Sequence, residues 1–172
     1  MNLSTFAIIL AAFAVAPSGG PPQADAPQVF NAGDVAGALR ASDIAEIYIV
    51  GRSAIFPGGP SPDVVRLLGC KYYLIRGSPA WSELESLIVE HDAAIAPSTR
   101  AGDVRVALIL GDSTGIIWEM YADDPFPSQA TLRGFSQGRR AEISAAFVRA
   151  LEAFANRNRE YGVADGQRRI CS

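Results

Sequence analysis

Four stretches of the chain are predicted to be helical, three of them with a helix-start signal, and apolar residues spaced three or four positions apart support the longer ones. Asp34 is a good N-cap for a first short helix. A serine followed by a proline favours a helix start at Ser61, with Gly69 as its stop, and again at Ser78. A final helix is predicted over 139–158. The apolar stripes of the two long helices are Trp81, Leu84, Leu87, Ile88 and His91, and Ile143, Phe147, Ala150, Leu151 and Phe154.

Between these helices, β-branched and aromatic residues indicate strands, some of them with apolar and polar positions in alternation. The segment 96–102 is typical of a connecting loop. The predicted strands cover 44–51, 70–77, 103–110, 116–122 and, as a possible edge strand, 130–135.

The order of these elements predicts an α+β fold. Strands 103–110 and 116–122 are separated by only five residues, so they form a hairpin and the sheet is at least partly antiparallel. We expect a single small domain with a partly antiparallel sheet of about four or five strands and helices packed mainly on one face. A chain of 172 residues is long enough to bury a hydrophobic core.

The N-terminus resembles an export signal. Residues 3–16 are uncharged and about as long as a signal-peptide core, which is too short to span a membrane, and Ala12-Phe13-Ala14 is a suitable cleavage site. We expect a signal peptide over 1–14, a Pro/Gly-rich spacer over 15–30 and the domain over 31–172. The export prediction places the protein in the periplasm or outside the cell, with no membrane span in the mature chain. Because no Lys or Arg precedes Arg40, an N-terminal core helix is the alternative.

Export would allow the two cysteines, Cys70 and Cys171, to form a disulfide. Such a bridge would close a loop of about a hundred residues, for which the chain-entropy model gives an upper value of about 4.7 kcal/mol. Two unrelated thiols are the alternative. Two cysteines and one histidine, far apart in sequence, do not make a zinc site, and we expect no metal and no cofactor.

Charge is unevenly distributed along the chain. The formal net charge is −3, yet residues 133–172 hold eight arginines and four acidic residues. Because the arginines alternate with acids, a solvated helix face is favoured and no nucleic-acid binding is expected. Arg139 and Arg140 would oppose the dipole of a helix that starts there, so we predict an anionic ligand or acidic partner at this position. An exposed basic loop whose charge is offset by Glu142 is the alternative.

The G-D-S-T-G stretch at 111–115 matches the nucleophile-elbow pattern G-x-S-x-G. That chemistry requires a strand-to-helix turn and a later histidine. Here a second strand follows, and the only histidine, His91, precedes Ser113. We therefore interpret the stretch as a hairpin loop and His91 as a half-buried residue of the apolar stripe, and we expect no catalytic residue.

Several aromatic residues lie on predicted strands and could form a partner-binding surface if one sheet face is uncovered; core packing is the alternative. These residues are Tyr48, Tyr72, Tyr73, Trp118 and Tyr121. The sequence thus favours an exported, non-enzymatic domain that binds a macromolecular partner or an anionic ligand. The alternatives are an exported serine hydrolase using Ser113 with His91, and a structural envelope protein.

Overall fold

The computed structural model describes residues 32–51, 61–91, 95–100 and 102–158. The predicted signal peptide, the predicted spacer and Cys171 lie outside these residues. In chain order the elements are α1 (Ala32–Ala41), β1 (Ile44–Ile49), α2 (Pro62–Leu68), β2 (Cys70–Ile75), α3 (Pro79–Glu90), β3 (Ile95–Pro97), β4 (Val104–Asp112), β5 (Gly115–Asp123), β6 (Thr131–Ser136), β7 (Arg139–Ser144) and α4 (Ala145–Arg157).

The seven strands form one sheet in the order β2-β1-β4-β5-β6-β7-β3, and every neighbouring pair is antiparallel. The α+β prediction agrees with this architecture, but the expected four or five strands were too few. Strand β6, expected at an edge, lies between β5 and β7. Strand β3, expected as part of a loop, is the true edge beside β7.

The final helix starts later than predicted. Residues 139–144 form β7, which follows β6 through a tight turn in which Gln137 and Gly138 both have positive φ, at 50° and 70°. This left-handed pair is typical of the two-residue turns that join antiparallel strands. Helix α4 begins after Ser144, whose hydroxyl accepts a hydrogen bond from the backbone N–H of Phe147.

Local sequence signals determine the ends of α2 and α3. Ser61 and Ser78 each occupy the N-cap position, and their hydroxyls accept from the backbone N–H groups of Val64 and Trp81. Gly69 ends α2 as predicted. A Cβ at this position would lie 2.4 Å from the carbonyl oxygen of Val65, so a larger residue would not fit there. Helix α1 starts before Asp34, so the N-cap prediction for Asp34 was wrong.

Helices α1, α3 and α4 contribute to the main core on one face of the sheet. Their buried side chains meet alternate residues of the strands, as expected for side chains that point to opposite faces along a strand. None of the helices within the described residues is long and apolar enough to cross a membrane. The largest side chains of this core are Tyr72, Trp81, Trp118, Phe147 and Phe154.

The opposite face of the sheet, which we call the open face, carries a smaller cluster. Within the described part of the chain, the seven-residue α2 is the one helix on this face, and its Val65 packs against strand residues. Gly69 brings the end of α2 against Tyr48, since a Cβ at position 69 would lie 3.3 Å from that of Tyr48. The sheet is therefore covered by three helices on one side and by two turns of helix on the other.

Candidate binding surface on the open face of the sheet

Two rows of side chains cross the open face at right angles to the strands. The strand registers place the members of each row side by side. The two rows run side by side across β1, β4 and β5. In each row, the residue on β1 and the residue on β5 therefore flank the same residue of β4. The first row is Lys71, Tyr48, Ala107, Tyr121, Phe135 and Arg140, and the second is Tyr73, Glu46, Ile109 and Glu119.

On the β1 side of β4, a tyrosine, a carboxylate and a lysine interact. The Tyr48 hydroxyl donates to a carboxylate oxygen of Glu46 at 2.8 Å, and the other carboxylate oxygen lies 2.6 Å from Lys71 Nζ. The ammonium also lies 5.9 Å and 5.6 Å from the ring centroids of Tyr48 and Tyr73. Burial disfavours the charged amine, but the hydrogen bond and charge of Glu46 outweigh it, so the pKa of Lys71 is raised.

The same arrangement recurs on the β5 side of β4, with an arginine from α2 in place of the lysine. The Tyr121 hydroxyl donates to Glu119 at 2.9 Å, and Arg66 lies 3.3 Å from the same carboxylate and 5.9 Å from the tyrosine ring. Burial raises the pKa of the Tyr121 phenol, and the hydrogen bond to Glu119 raises it further. The ion pair between Arg66 and Glu119 connects α2 to β5.

Beyond β5, the open face changes character. Strands β6 and β7 present Phe135, half-buried against the smaller cluster, beside the exposed Arg133 and Arg140. Arg140 lies directly across from Phe135, and the exposed Glu142 lies across from Arg133. One guanidinium nitrogen of Arg140 donates to the carbonyl oxygen of Thr99 at 2.9 Å, while no ion pair joins Arg133 to a described carboxylate. The result is an aromatic residue with one arginine directly across from it on β7 and another two residues away along β6.

The structure separates the two arginines that the sequence predicted as an anion site. Arg139 and Arg140 lie on β7 and not in a first helical turn, so the prediction that a helix dipole draws an anion to them was wrong in its premise. Because consecutive strand residues point to opposite faces, Arg140 lies on the open face and Arg139 is directed to the helix side. Binding of an anionic ligand or acidic partner by Arg139 or Arg140 stays a prediction.

The expected aromatic surface is smaller than the sequence allowed. Tyr72 and Trp118 belong to the main core, whereas Tyr48 and Tyr121 are buried on the open face in the cluster around α2. Tyr73 alone among the five is half exposed. Phe135 was not among the residues predicted from the sequence. Its position two residues after Arg133 would have placed both side chains on one face, once 139–144 was recognised as the partner strand.

The G-D-S-T-G stretch forms the turn between β4 and β5, as predicted. Asp112 accepts hydrogen bonds from the backbone N–H groups of Thr114 and Gly115 and from the Thr114 hydroxyl, at 2.7, 3.2 and 2.6 Å. These bonds lower the pKa of Asp112. Aspartate and glycine therefore serve the geometry of the turn, and Ser113 occupies its exposed tip.

His91, the other member of the hydrolase alternative, ends α3 and lines a groove between α3 and α4 with a volume of about 560 Å³. The same groove contains Glu83, which contacts Arg157 at 2.5 Å and Asn158 at 3.3 Å. The hydrogen bond from Arg157 lowers the pKa of Glu83. Among the described residues no hydrogen bond links His91 to Ser113, the pair on which the serine-hydrolase alternative depends.

In the described ranges, no group of three or more His, Cys, Asp or Glu side chains is placed so that it could hold a metal ion. Cys70 begins β2 and packs at the margin of the main core, while its predicted partner lies outside the described residues. Comparison with known proteins finds no relative: no family model matches the chain, and no curated protein or solved structure is reliably similar to it.

Proposed function

We propose that this chain is an exported, non-enzymatic binding module that holds an acidic segment of a protein partner against β6 and β7 on its open face. The proposal rests on one observation above all: Phe135 and the exposed Arg133 and Arg140 are neighbours on the open face, where no described helix covers β6 and β7. Export rests on the N-terminal signal in the sequence, with maturation expected to leave Val15 as the first residue.

The chemistry of this surface favours a carboxylate-bearing partner. A guanidinium presents several donors in a plane and binds a carboxylate through two parallel hydrogen bonds. Arg133 and Arg140 would each receive one acidic group, and an apolar or aromatic side chain between these groups would cover the ring of Phe135. Glu142 lies beside Arg133 and would repel a partner carboxylate placed at the wrong register.

The neighbouring tyrosine and carboxylate pairs supply a rigid base for such a partner. The hydroxyls of Tyr48 and Tyr121 and the carboxylates of Glu46 and Glu119 are already paired with each other. Their hydrogen-bonding capacity is largely satisfied, so they support the shape of the face more than they offer groups for recognition. Specificity would then come from the arginines of β6 and β7.

The test uses an oligoglutamate peptide, with and without an aromatic residue in its centre, titrated into the full mature chain labelled with ¹⁵N. We expect the largest amide shifts along 131–136 and 139–144, and weaker binding as salt increases. The Arg133→Ala/Arg140→Ala double variant should bind about tenfold more weakly, since two partly exposed charge pairs together amount to about 1.4 kcal/mol.

Three single variants, Arg149→Ala, Arg139→Ala and Arg140→Ala, locate the surface. Arg149→Ala removes one positive charge from α4 on the helix side and should leave binding unchanged. Arg139→Ala and Arg140→Ala distinguish a site on the open face from a site formed by both arginines. If the site lies on the open face, only Arg140→Ala should weaken peptide binding. Equal losses of affinity in the two variants would contradict the open-face site. Absence of any shift on β6 and β7 would refute it entirely.

A further inference from the structure

The two edges of the sheet differ in how well they are protected. Strand β3 has three residues and includes Pro97, and both shortness and proline are common devices that prevent a sheet edge from pairing with another chain. Strand β2 has six residues, no proline and one charged residue, Lys71. Among the described strands, β2 pairs only with β1, so no described strand occupies its outer edge.

The register defines which backbone groups point outward from β2. The Arg76 N–H donates to the carbonyl oxygen of Asp43, which makes these two residues a hydrogen-bonded pair. Since hydrogen-bonded and non-hydrogen-bonded positions alternate, Lys71, Tyr73 and Ile75 direct their N–H groups away from β1. The carbonyl groups of Lys71 and Tyr73 point the same way, and that of Ile75 accepts from Ser78 in the following turn at 3.2 Å.

Exposed apolar side chains lie at both ends of this edge. Leu67 and Leu68, at the end of α2 just before β2, are 66% and 52% exposed, and Ile75, at the other end of β2, is 58% exposed. All three belong to the open-face side, because α2 lies on that face and Ile75 follows Tyr73 by two residues. They account for half of the large hydrophobic residues that are strongly exposed in the described structure.

We propose that the β2 edges of two copies of this chain pair with each other, antiparallel, about a two-fold axis at Tyr73. This register makes Tyr73 face Tyr73 of the partner copy and Lys71 face Ile75 of the partner copy. Every outward N–H group of β2 then receives an acceptor, and the seven strands of each copy join in one continuous sheet. A two-fold interface must be self-complementary. The β2 edge meets this requirement, because its outward N–H groups face the carbonyl groups of the same strand in the partner copy.

The same symmetry operation accounts for the exposed side chains. Because the two β2 strands run in opposite directions, Leu67 and Leu68 of one copy lie near Ile75 of the other copy. The two-fold axis makes this contact occur at both ends of the interface. The aliphatic stem of Lys71 would cover Ile75 of the partner copy, and its ammonium would keep the contact with Glu46. Both open faces lie on the same side of such a dimer, so the proposed partner surface is left uncovered.

The solution mass of the full mature chain, measured by light scattering over a micromolar concentration series, tests the dimer. We expect twice the mass of one chain. Ile75→Lys should give a single-chain mass throughout, because the register places two lysines opposite each other at each end of the interface. Ile116→Lys is the matched control: Ile116 is 53% exposed, lies at the hairpin after β4 and should leave the dimer intact.

Cysteine cross-linking tests the register. Directly opposed residues in a hydrogen-bonded pair have Cα atoms about 5.5 Å apart, which suits a disulfide. Tyr73→Cys should therefore give a disulfide-linked dimer joined at position 73, located by mass spectrometry of the linked peptide. Val89→Cys, at a position 75% exposed on α3, should remain unlinked under the same oxidation. Far-UV circular dichroism and thermal melting verify that each variant is folded.

The outcomes are distinguishable from those of the acidic-partner experiment, which involves other strands. A dimer that Ile75→Lys disrupts and Tyr73→Cys links supports the β2 pairing. A single-chain mass at every concentration would overturn it, and so would a dimer that is insensitive to Ile75→Lys or is not linked at position 73.

Discussion

Arg76 joins three segments that are distant in sequence. Its guanidinium donates to the carbonyl oxygens of Leu39, Arg40 and Ser42 at the end of α1, pairs with Asp43 at 3.0 Å, and lies 5.7 Å from the ring centroid of Trp81 in α3. The last carbonyl groups of a helix lack intrahelical partners. One arginine therefore satisfies the end of α1 and connects it to the strand turn after β2.

We expect Arg76→Ala to lower the free energy of unfolding by about 1–3 kcal/mol, since hydrogen bonds from a charged donor to several carbonyl groups are lost together. Arg76→Lys should recover only part of this, because an ammonium cannot reproduce the planar fork of donors. Urea unfolding followed by tryptophan fluorescence measures both. Equal stability of Arg76→Lys and wild type would show that charge alone is sufficient.

The two buried tyrosines of the open face predict how stability depends on pH. Burial, reinforced by hydrogen bonds to Glu46 and Glu119, raises the pKa of both Tyr48 and Tyr121 above the ordinary value. The folded chain thus holds these protons more tightly than the unfolded chain does. Their contribution to stability is complete below the unfolded pKa, about 10 for tyrosine, and is lost as pH rises above it.

The measurement is the free energy of unfolding from pH 7 to pH 11 for wild type and for the Tyr48→Phe/Tyr121→Phe double variant. Wild type should lose stability above about pH 10, where tyrosine ionises in the unfolded chain. The double variant should depend less steeply on pH there, because it lacks the two phenols that lose their protons in the unfolded chain. Identical slopes for the two proteins would mean that these phenols do not control the alkaline transition.

At the scale of elements, the start of α4 shows where sequence patterns are ambiguous. Ile143 precedes Phe147 by four residues, so it fits the helical stripe of 139–158, yet it lies on β7 and pairs with Leu132. A buried residue at the end of a strand and one in the following helix can share a spacing of four by coincidence. The signal that resolves the ambiguity is Ser144, a good N-cap residue inside the predicted helix.

Ser144→Ala should therefore destabilise the protein by about 0.5–2 kcal/mol, the usual effect of removing an N-cap side chain. Were α4 to begin near Arg139, as the stripe indicated, Ser144 would lie mid-helix and alanine would slightly stabilise the protein. Thermal denaturation of the variant beside Ser86→Ala distinguishes these cases. Ser86 lies within α3, and its hydroxyl bonds back to Ser82, so that control should change stability little.

The elements with strong local signals were predicted and those that depend on distant partners were not. The ends of α2 and the hairpin between β4 and β5 follow from Ser61, Gly69 and Asp112, each acting within a few residues. Strand β3 has three residues and exists because Ile95 pairs with Ile143. Likewise, no local pattern predicts that Phe135 and Arg140 lie side by side. Their contact is created by the register of the sheet.

At the scale of the whole molecule, the predicted disulfide would attach the C-terminal segment to β2. The end of α4 lies against α3 through Arg157 and Glu83, and α3 begins shortly after β2. The twelve residues between Asn158 and Cys171 are ample to span the length of a strand of six, at about 3.3 Å per residue. The position of Cys70 is thus compatible with a bridge to Cys171.

Intact mass under non-reducing conditions should show the exported protein lacking two hydrogens relative to the reduced form, and peptide mapping should find Cys70 linked to Cys171. The Cys70→Ser/Cys171→Ser variant should unfold more easily, by at most about 4.7 kcal/mol according to the loop-entropy model. Cys70→Ser alone should match the double variant. Two alkylatable thiols in the native exported protein would contradict the bridge.

The strand order also determines which strands can pair early during folding. Strands β4 to β7 follow one another in sequence and lie side by side, so they can assemble through short loops as soon as they are available. The first three strands form contacts over longer separations in sequence: β1 and β2 pair with each other across α2, β1 also pairs with β4, and β3 pairs with β7, the last strand to emerge from any machinery that delivers the chain from its N-terminus. Because closing long loops before contacts form slows folding, β1, β2 and β3 should join the sheet only after the C-terminal meander provides its template. A chaperone that protects this protein would therefore act on its first half, and a chain interrupted before β7 would be left with an incomplete edge.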